Sequence, residues 1–249
     1  MIDIHNHLLF GVDDGSDSFE LSLKLLKEAQ KEGISDIILT PHYIKNGDYK
    51  YKANVIKKVY EVFREHVKKH NIKINLYLGN ELYIHEELDN LLQVKEVLSL
   101  NDSKYVLVEF PFTSYRDEYD EILYNITTLG YKIIIAHPER YKYVKENHKF
   151  IKRWVDNGYL LQVNQNSLNK KDLRAMIFDW IHEGCLYFIA SDAHNEYRPC
   201  TLKNAYDIIV SKFDEDIANR IFIDNPKCII NNETIAKMPI IKKKLFGLF

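Results

Sequence analysis

The feature that most narrows what this chain can fold into is where its short hydrophobic runs stop. Residues 1–4 run into His5-Asn6-His7, 36–40 into Pro41-His42, and 74–79 into Asn80-Glu81. Residues 105–108 stop at Glu109, 132–136 at His137, 160–163 at Asn164-Gln165-Asn166, and 186–191 at Asp192-Ala193-His194. Helix-period stripes lie between them. Segment 18–32 carries Leu21, Leu25, Leu26 and Ala29 before Gly33, and 51–69 carries Ile56, Val59, Tyr60, Phe63 and Val67. Segments 117–129, 148–157 and 171–183 stop at Gly130, Gly158 and Gly184, each a helix stop signal. Helix, glycine and β-branched run, repeated along a chain, make a (βα) series whose right-handed crossovers put each helix outside a parallel sheet. Polar residues follow every strand rather than one switch point, so closure is expected. The expected fold is α/β, a distorted (βα)7 TIM-like barrel with its site at the C-terminal mouth of the strands.

A chain of 249 residues with 46% hydrophobic content fits one such barrel. Residues 1–235 are expected to form it, with 236–249 as a basic and apolar tail. Lys and Arg number 34 against 36 Asp and Glu, and the net charge of −2 gives no basic field for nucleic acid. No apolar run approaches the roughly 20 residues that span a bilayer, and the first residues show no signal peptide. Cys185, Cys200 and Cys228 form no CxxC, as expected of reduced thiols in a cytoplasmic protein. The tail mixes Lys242, Lys243 and Lys244 with Phe246 and Phe249. Its plain reading is a frayed terminus. Its functional reading is weak contact with a partner protein or with the anionic inner face of the membrane, at about 1 kcal/mol per lysine.

His5 and His7 lie two apart at a strand end, so their side chains point the same way and form a chelating pair. Asp192 and His194 repeat that spacing at the last strand. His42, Glu81, Glu109 and His137 lie at strand ends between, and Asp14 lies in the loop Gly11-Val12-Asp13-Asp14-Gly15. His66, His70, His85, His148 and His182 fall in or beside helical stretches and are expected to be solvated or structural. A catalytic zinc site takes three protein ligands and an open position. Nine candidates exceed that, so two or three divalent ions are expected, with Glu81 bridging. Imidazole and carboxylate without thiolate suit Mn, Fe, Zn or Co. Ions about 3.5–4 Å apart generate hydroxide and clamp both oxygens of an in-line displacement, which phosphoester hydrolysis requires. Arg140, behind His137-Pro138-Glu139, and Arg198, four residues after His194, offer planar forks for phosphate. The alternative for either arginine is a salt bridge to a neighbouring acid. Phe110, Phe112, Tyr115, Tyr141 and Tyr143 read either as a wall for an aryl phosphate or as ordinary loop packing.

The set His5-x-His7, Pro41-His42, Glu81, Glu109, His137 and Asp192-x-His194 resembles the PHP (polymerase and histidinol phosphatase) superfamily. Four stretches are similar to its bacterial tyrosine-phosphatase branch, which acts in capsule and exopolysaccharide systems. They are Met1-Ile2-Asp3-Ile4-His5-Asn6-His7, Val12-Asp13-Asp14-Gly15, Ile135-Ala136-His137-Pro138-Glu139-Arg140-Tyr141 and Ala190-Ser191-Asp192-Ala193-His194-Asn195. Phe222-Ile223-Asp224-Asn225-Pro226 fits the same branch. The resemblance implies three ions, Mn first, with Fe, Zn, Co or Mg as alternatives. It implies one ion on His5, His7, Glu81 and Asp192, a second on Glu81, Glu109 and His137, and a third on Asp14, His42 and His194. It also implies phosphate on Arg140 and Arg198, which with His42 and Asp14 are the expected catalytic residues. The implied substrate is phosphotyrosine on the tyrosine-rich tail of a bacterial tyrosine kinase that controls polysaccharide export.

The cysteines give an independent check on mechanism. Thiol-dependent tyrosine phosphatases need Cys-x5-Arg, but Ser191, Tyr206 and Thr234 stand six after Cys185, Cys200 and Cys228. Attack by a metal-bridging hydroxide is therefore expected. A small-molecule phosphomonoesterase of the histidinol-phosphatase type is the main alternative. A DNA-trimming nuclease is disfavoured by the charge balance and by the missing polymerase body. A non-enzymatic partner module is disfavoured because buried His and carboxylate clusters are costly without metals.

Overall fold

The structure, a computed structural model, describes residues 1–242. Two of the seven strand positions are interrupted where their hydrophobic run stops and resume beyond it, so seven strand positions contain nine strand segments. The first run gives β1 (Ile2–Asp3); the second divides into β2 (Asp36–Leu39) and β3 (His42–Tyr43) around Thr40-Pro41. Pro41 has no N–H to give to a ladder, so pairing stops and restarts there. The third run divides into β4 (Asn75–Leu78) and β5 (Glu81–Tyr83) around Gly79-Asn80. A Cβ on Gly79 would meet Leu100 Cα at 3.0 Å, so only glycine permits that close approach. Then follow β6 (Tyr105–Glu109), β7 (Lys132–Ala136), β8 (Leu160–Asn164) and β9 (Leu186–Ala190).

All the ladders are parallel, in the orders β1-β2-β4 and β3-β5-β6-β7-β8-β9. The split runs carry the first sheet into the second. The first and last strands meet at the mouth through a parallel bridge between Asn6 and Ala193. There the His7 N–H donates to Ala193 O at 2.7 Å, and the Asp192 N–H donates to His5 O at 2.8 Å. The architecture is the distorted (βα)7 barrel the sequence leads one to expect. Ile133, Ile134 and Ile135 are fully buried, as continuous apolar strands of a parallel sheet must be. Each such side chain contributes about 1.5–3 kcal/mol of burial free energy.

The five expected helices are α1 (Phe19–Lys31), α2 (Ala53–Lys69), α4 (Glu118–Thr128), α6 (Lys149–Asp156) and α7 (Lys171–His182), with the short α3 (Leu88–Gln93) and α5 (Lys142–Glu146) between them. Ser18 caps α1 by accepting the Leu21 N–H, and Gly33 follows it at φ 84°. Past β9 come α8 (Lys203–Lys212), α9 (Glu215–Asn219) and α10 (Asn225–Ile230), which the sequence pattern did not mark. The chain then lies against the body: Met238 is buried and the Ile241 N–H donates to His182 O at 2.8 Å. Residues 243–249, with Lys243, Lys244 and both phenylalanines of the expected membrane contact, lie outside the described residues. Among the described residues no helix is long and apolar enough to cross a membrane.

Candidate metal centre

Parallel register sets the cluster. His42 pairs with Glu81, and Tyr83 with Glu109, so the ends of β3, β5 and β6 stand side by side. His42 Nδ1 consequently lies 3.1 Å from Glu81 Oε2 and 3.9 Å from Glu109 Oε2. From the next strand, His137 Nε2 reaches Glu81 Oε1 at 2.9 Å and Glu109 Oε1 at 3.6 Å. Across the barrel, His5 Nε2 and His7 Nε2 approach Glu81 Oε2 at 3.2 and 3.3 Å and Asp192 Oδ1 at 3.5 and 3.6 Å. Asp14 Oδ1 faces His42 Nε2 at 3.5 Å and His194 Nε2 at 3.7 Å. All nine expected ligands converge. Seven are buried, while the side chains of His42 and Asp14 are 10% and 48% exposed and mark the solvent side.

Three sets of ligand atoms lie within 4.8 Å of one another: His7, Asp14, His42 and His194; His5, His7 and Glu81; and His42, Glu81 and Glu109. The hydrogen bonds behind them show what these atoms can accept. His5 Nδ1 donates to Gln162 Oε1 at 2.8 Å, His7 Nδ1 to Asp13 Oδ2 at 2.7 Å, and His194 Nδ1 to Asp192 O at 3.0 Å, with the tautomers assigned from these partners. Each Nε2 is then a lone pair aimed into the cluster. The Nε2 atoms of His5 and His7 are 3.3 Å apart and both face Glu81 Oε2, which has no hydrogen-bond donor. Lone pairs and carboxylate oxygens packed this way repel one another. A divalent cation between them turns that repulsion into ligation, so the donor set fits metal.

The electrostatics agree. Burial disfavours a charged His5 or His7, yet Glu81 and Asp192 around the first and Asp13 and Glu81 around the second outweigh it and raise both. Glu109 is pushed up to about 9 by burial and by repulsion from Glu81. Positive charge is what this point in the molecule lacks. Burial and the neighbouring His7 hold His194 down at about 3, keeping its imidazole neutral. Two of the expected ligands at strand ends, His137 (φ 31°) and Asp192 (φ 52°), adopt the left-handed conformation that non-glycine residues avoid. Such strain collects at functional sites.

Arg140 and Arg198 approach the cluster together. Arg140 Nη1 and Arg198 Nη2 donate to Asp192 Oδ2 at 3.2 and 2.5 Å. The salt bridge weighed as an alternative is thus present, and its acid is a member of the cluster itself. Beside them opens a cleft of about 500 Å3 whose lining includes Phe112, Arg140, Asn164, Asp192 and Arg198. Arg140 lies over the Phe112 ring at 4.5 Å, and that ring stacks 5.8 Å from His137. Of the five loop aromatics only Phe112 is exposed; Phe110, Tyr141 and Tyr143 are buried and Tyr115 packs against the core.

A family described as capsular polysaccharide synthesis, CpsB/CapC, matches residues 1–231 of this sequence. The chain belongs to the CpsB/CapC family. Tyrosine-protein phosphatase YwqE of Bacillus subtilis (strain 168) is 32% identical over 256 residues, covering all of both chains. Tyrosine-protein phosphatase CpsB of Streptococcus pneumoniae is 35% identical over 245 residues, covering 94% of this chain and 100% of that one. A crystal structure from a study of those two proteins, described there as metal-dependent tyrosine phosphatases, superposes with TM-score 0.90 at 31% identity. It covers 98% of this chain and 100% of that one. The phosphotriesterase homology protein from Escherichia coli, at 13% identity and TM-score 0.61 over 92% of this chain and 98% of that one, shares the fold alone.

In this CpsB/CapC chain several polar side chains stand behind the expected ligands, and sequence reasoning passed over most of them. Asp13 accepts from His7 Nδ1 and from the His42 N–H at 3.0 Å. Gln162 fixes His5, and Asn164 Nδ2 donates to Asp192 Oδ2 at 2.5 Å. Gln162 and Asn164 are two apart on β8 and so share one face, the signal that a polar pair inside an apolar run turns inward. Asp3, wholly buried, accepts the Ser191 N–H and Oγ–H at 2.9 and 2.6 Å, tying β1 to β9 beneath the histidines.

Proposed function

We propose that this chain is a metal-dependent protein-tyrosine phosphatase of capsular polysaccharide synthesis, with two or three ions, Mn first, in the cluster at the barrel mouth. The observation that carries this reading is the convergence of His5, His7, His42, Glu81 and Glu109 with ligand atoms within 4.8 Å in overlapping sets, beside two arginines. His5, His7, Glu81 and Asp192 would hold one ion, Glu81, Glu109 and His137 a second, and Asp14, His42 and His194 a third. When bound, such ions supply a nucleophile at neutral pH and neutralise charge on the transferred phosphoryl group.

The chain's own residues do the rest. Arg140 and Arg198 bind phosphate oxygens, and Asp192 preorients both forks. Phe112, held flat by the Arg140 guanidinium, offers its face to the phenyl ring of the substrate. Asp13, Gln162 and Asn164 keep the ligands in tautomer and place. Burial raises all three thiols, Cys185 to about 11, so no thiolate competes as nucleophile at neutral pH. Residues 1–235 act as one catalytic unit, and the substrate is the phosphorylated tail of a bacterial tyrosine kinase at the inner face of the membrane.

A histidinol-phosphatase-type enzyme would use the same ligands; full-length likeness to YwqE and CpsB favours the protein substrate. The test is turnover by metal-stripped protein restored with Mn2+, on a phosphotyrosine peptide, histidinol phosphate and single-stranded DNA. The peptide should be the preferred substrate. Faster turnover of either of the others overturns the reading.

A further inference from the structure

The cleft beside Asp192 does not end at the two arginines. Its lining also includes Lys145, on α5 after β7, and Lys170, just before α7, together with Asn166 and Ser167. Four cations line it against a single carboxylate, Asp192, which already accepts from both arginines. That is a local basic field on a chain whose net charge is −2.

Both lysines stand outside the surface ion pairs of this protein. Lys24, Lys52, Lys68 and Lys203 each pair with a nearby acid on the surface. Lys145 donates only to the Arg140 carbonyl at 3.3 Å, and neither it nor Lys170 has an acidic partner within 4.0 Å among the described residues. Both side chains are exposed, so neither contributes to the core. The ending Asn164-Gln165-Asn166 also divides here: Asn164 turns in to Asp192, and Asn166 turns out to the cleft.

We propose that Lys145 and Lys170 form a subsite for a second anionic group of the substrate, a carboxylate or phosphoryl close to the phosphotyrosine in sequence. The proposal rests on the phosphatase reading above and deepens it. Phosphate on Arg140 and Arg198 leaves the rest of the peptide to run along this cleft, where neutral flanks would leave both lysines unpaired. Two exposed ion pairs give a preference of roughly three- to tenfold, expressed in KM and weakened by salt.

The experiment measures kcat/KM of the full chain, loaded with Mn2+, on four peptides of one length. Their phosphotyrosine is flanked by alanine, by glutamate, by lysine or by a second phosphotyrosine. Phenyl phosphate serves as the substrate without flanks. The glutamate and doubly phosphorylated peptides should exceed the alanine peptide, the lysine peptide should fall below it, and the spread should shrink at high salt. In the Lys145→Gln/Lys170→Gln double variant that spread should collapse while phenyl phosphate turnover stays unchanged. Equal kcat/KM across the peptides, or a preference that survives the double substitution, overturns the subsite. Fluorescence anisotropy of the same labelled peptides reads the preference without turnover. An enzyme inert on phenyl phosphate and on all peptides therefore sinks the phosphatase reading, while anisotropy still decides the subsite.

Discussion

Replacing Asp13 by asparagine tests how the cluster is held together. Asp13 spends one carboxylate oxygen on two donors, His7 Nδ1 at 2.7 Å and the His42 N–H at 3.0 Å, and the other on the Gly15 N–H at 3.0 Å. Asparagine keeps the shape but has one acceptor oxygen. In one orientation its amide N–H faces His7 and His42; in the other it faces Gly15. Either way the proton on His7 Nδ1 loses an anionic acceptor, and the tautomer with the proton on Nε2 becomes competitive. That proton points at Glu81, where the nitrogen has to offer a lone pair. Removing such an outer partner costs about 10–100-fold in metal affinity. At 1.4 kcal/mol per decade this is about 1.4–2.8 kcal/mol, the size of one charged hydrogen bond. The assay is calorimetric Mn2+ titration with turnover of phenyl phosphate against Mn2+ concentration, using Asp17→Asn as an exposed control. Affinity and kcat/KM both within twofold of the unsubstituted protein would show that Asp13 does not hold the His7 tautomer.

Three further outcomes follow from the same geometry. Glu109→Ala and His137→Ala should each abolish turnover while leaving the circular dichroism spectrum and cooperative melt in place, because each removes a ligand at the barrel mouth and not a core side chain; near-normal turnover in either contradicts the site. In Gly15→Ala the new Cβ would fall 2.1 Å from His7 O, forcing apart the loop that carries Asp13 and Asp14. A thermal melt should show a loss of about 1–3 kcal/mol together with weakened Mn2+ binding. Iodoacetamide at neutral pH should leave turnover unchanged. Burial raises the pKa of every thiol, so the thiolate is scarce below pH 8, and inactivation that tracks labelling of one cysteine would contradict this.

The strand ends were legible because a barrel imposes a rule that leaves a mark in sequence. Ligands drawn from distant segments must each terminate an apolar run, and His42, Glu109 and His137 do so without ambiguity. The positions behind them carry a weaker mark. Asp13 and Asp14 are adjacent acids in one loop, and nothing local says which turns toward the cluster. Gly15 decides it by packing on the His7 backbone, with the Ser16 N–H donating to His7 O at 2.9 Å, and that contact bridges strand and loop in space. Gln162 was readable as a polar residue inside Leu160-Leu161-Gln162-Val163, but its partner His5 is far away in sequence. The helices after β9 lack the glycine stops that punctuate the earlier units, and α9 and α10, at five and six residues, are too brief for a helical period to register. Arg198 reached the site through a loop whose path depends on its own turn, the Asn195–Arg198 bridge.

We propose that the His and carboxylate cluster is a multinuclear metal centre that hydrolyses phosphotyrosine. Its most direct test follows metal content and phosphotyrosine-peptide turnover in the same sample through chelation and stepwise return of Mn2+. The stripped protein should show no turnover, and recovery should saturate at two or three ions per chain. Full turnover in protein shown to be metal-free, or saturation at a single ion, would contradict it.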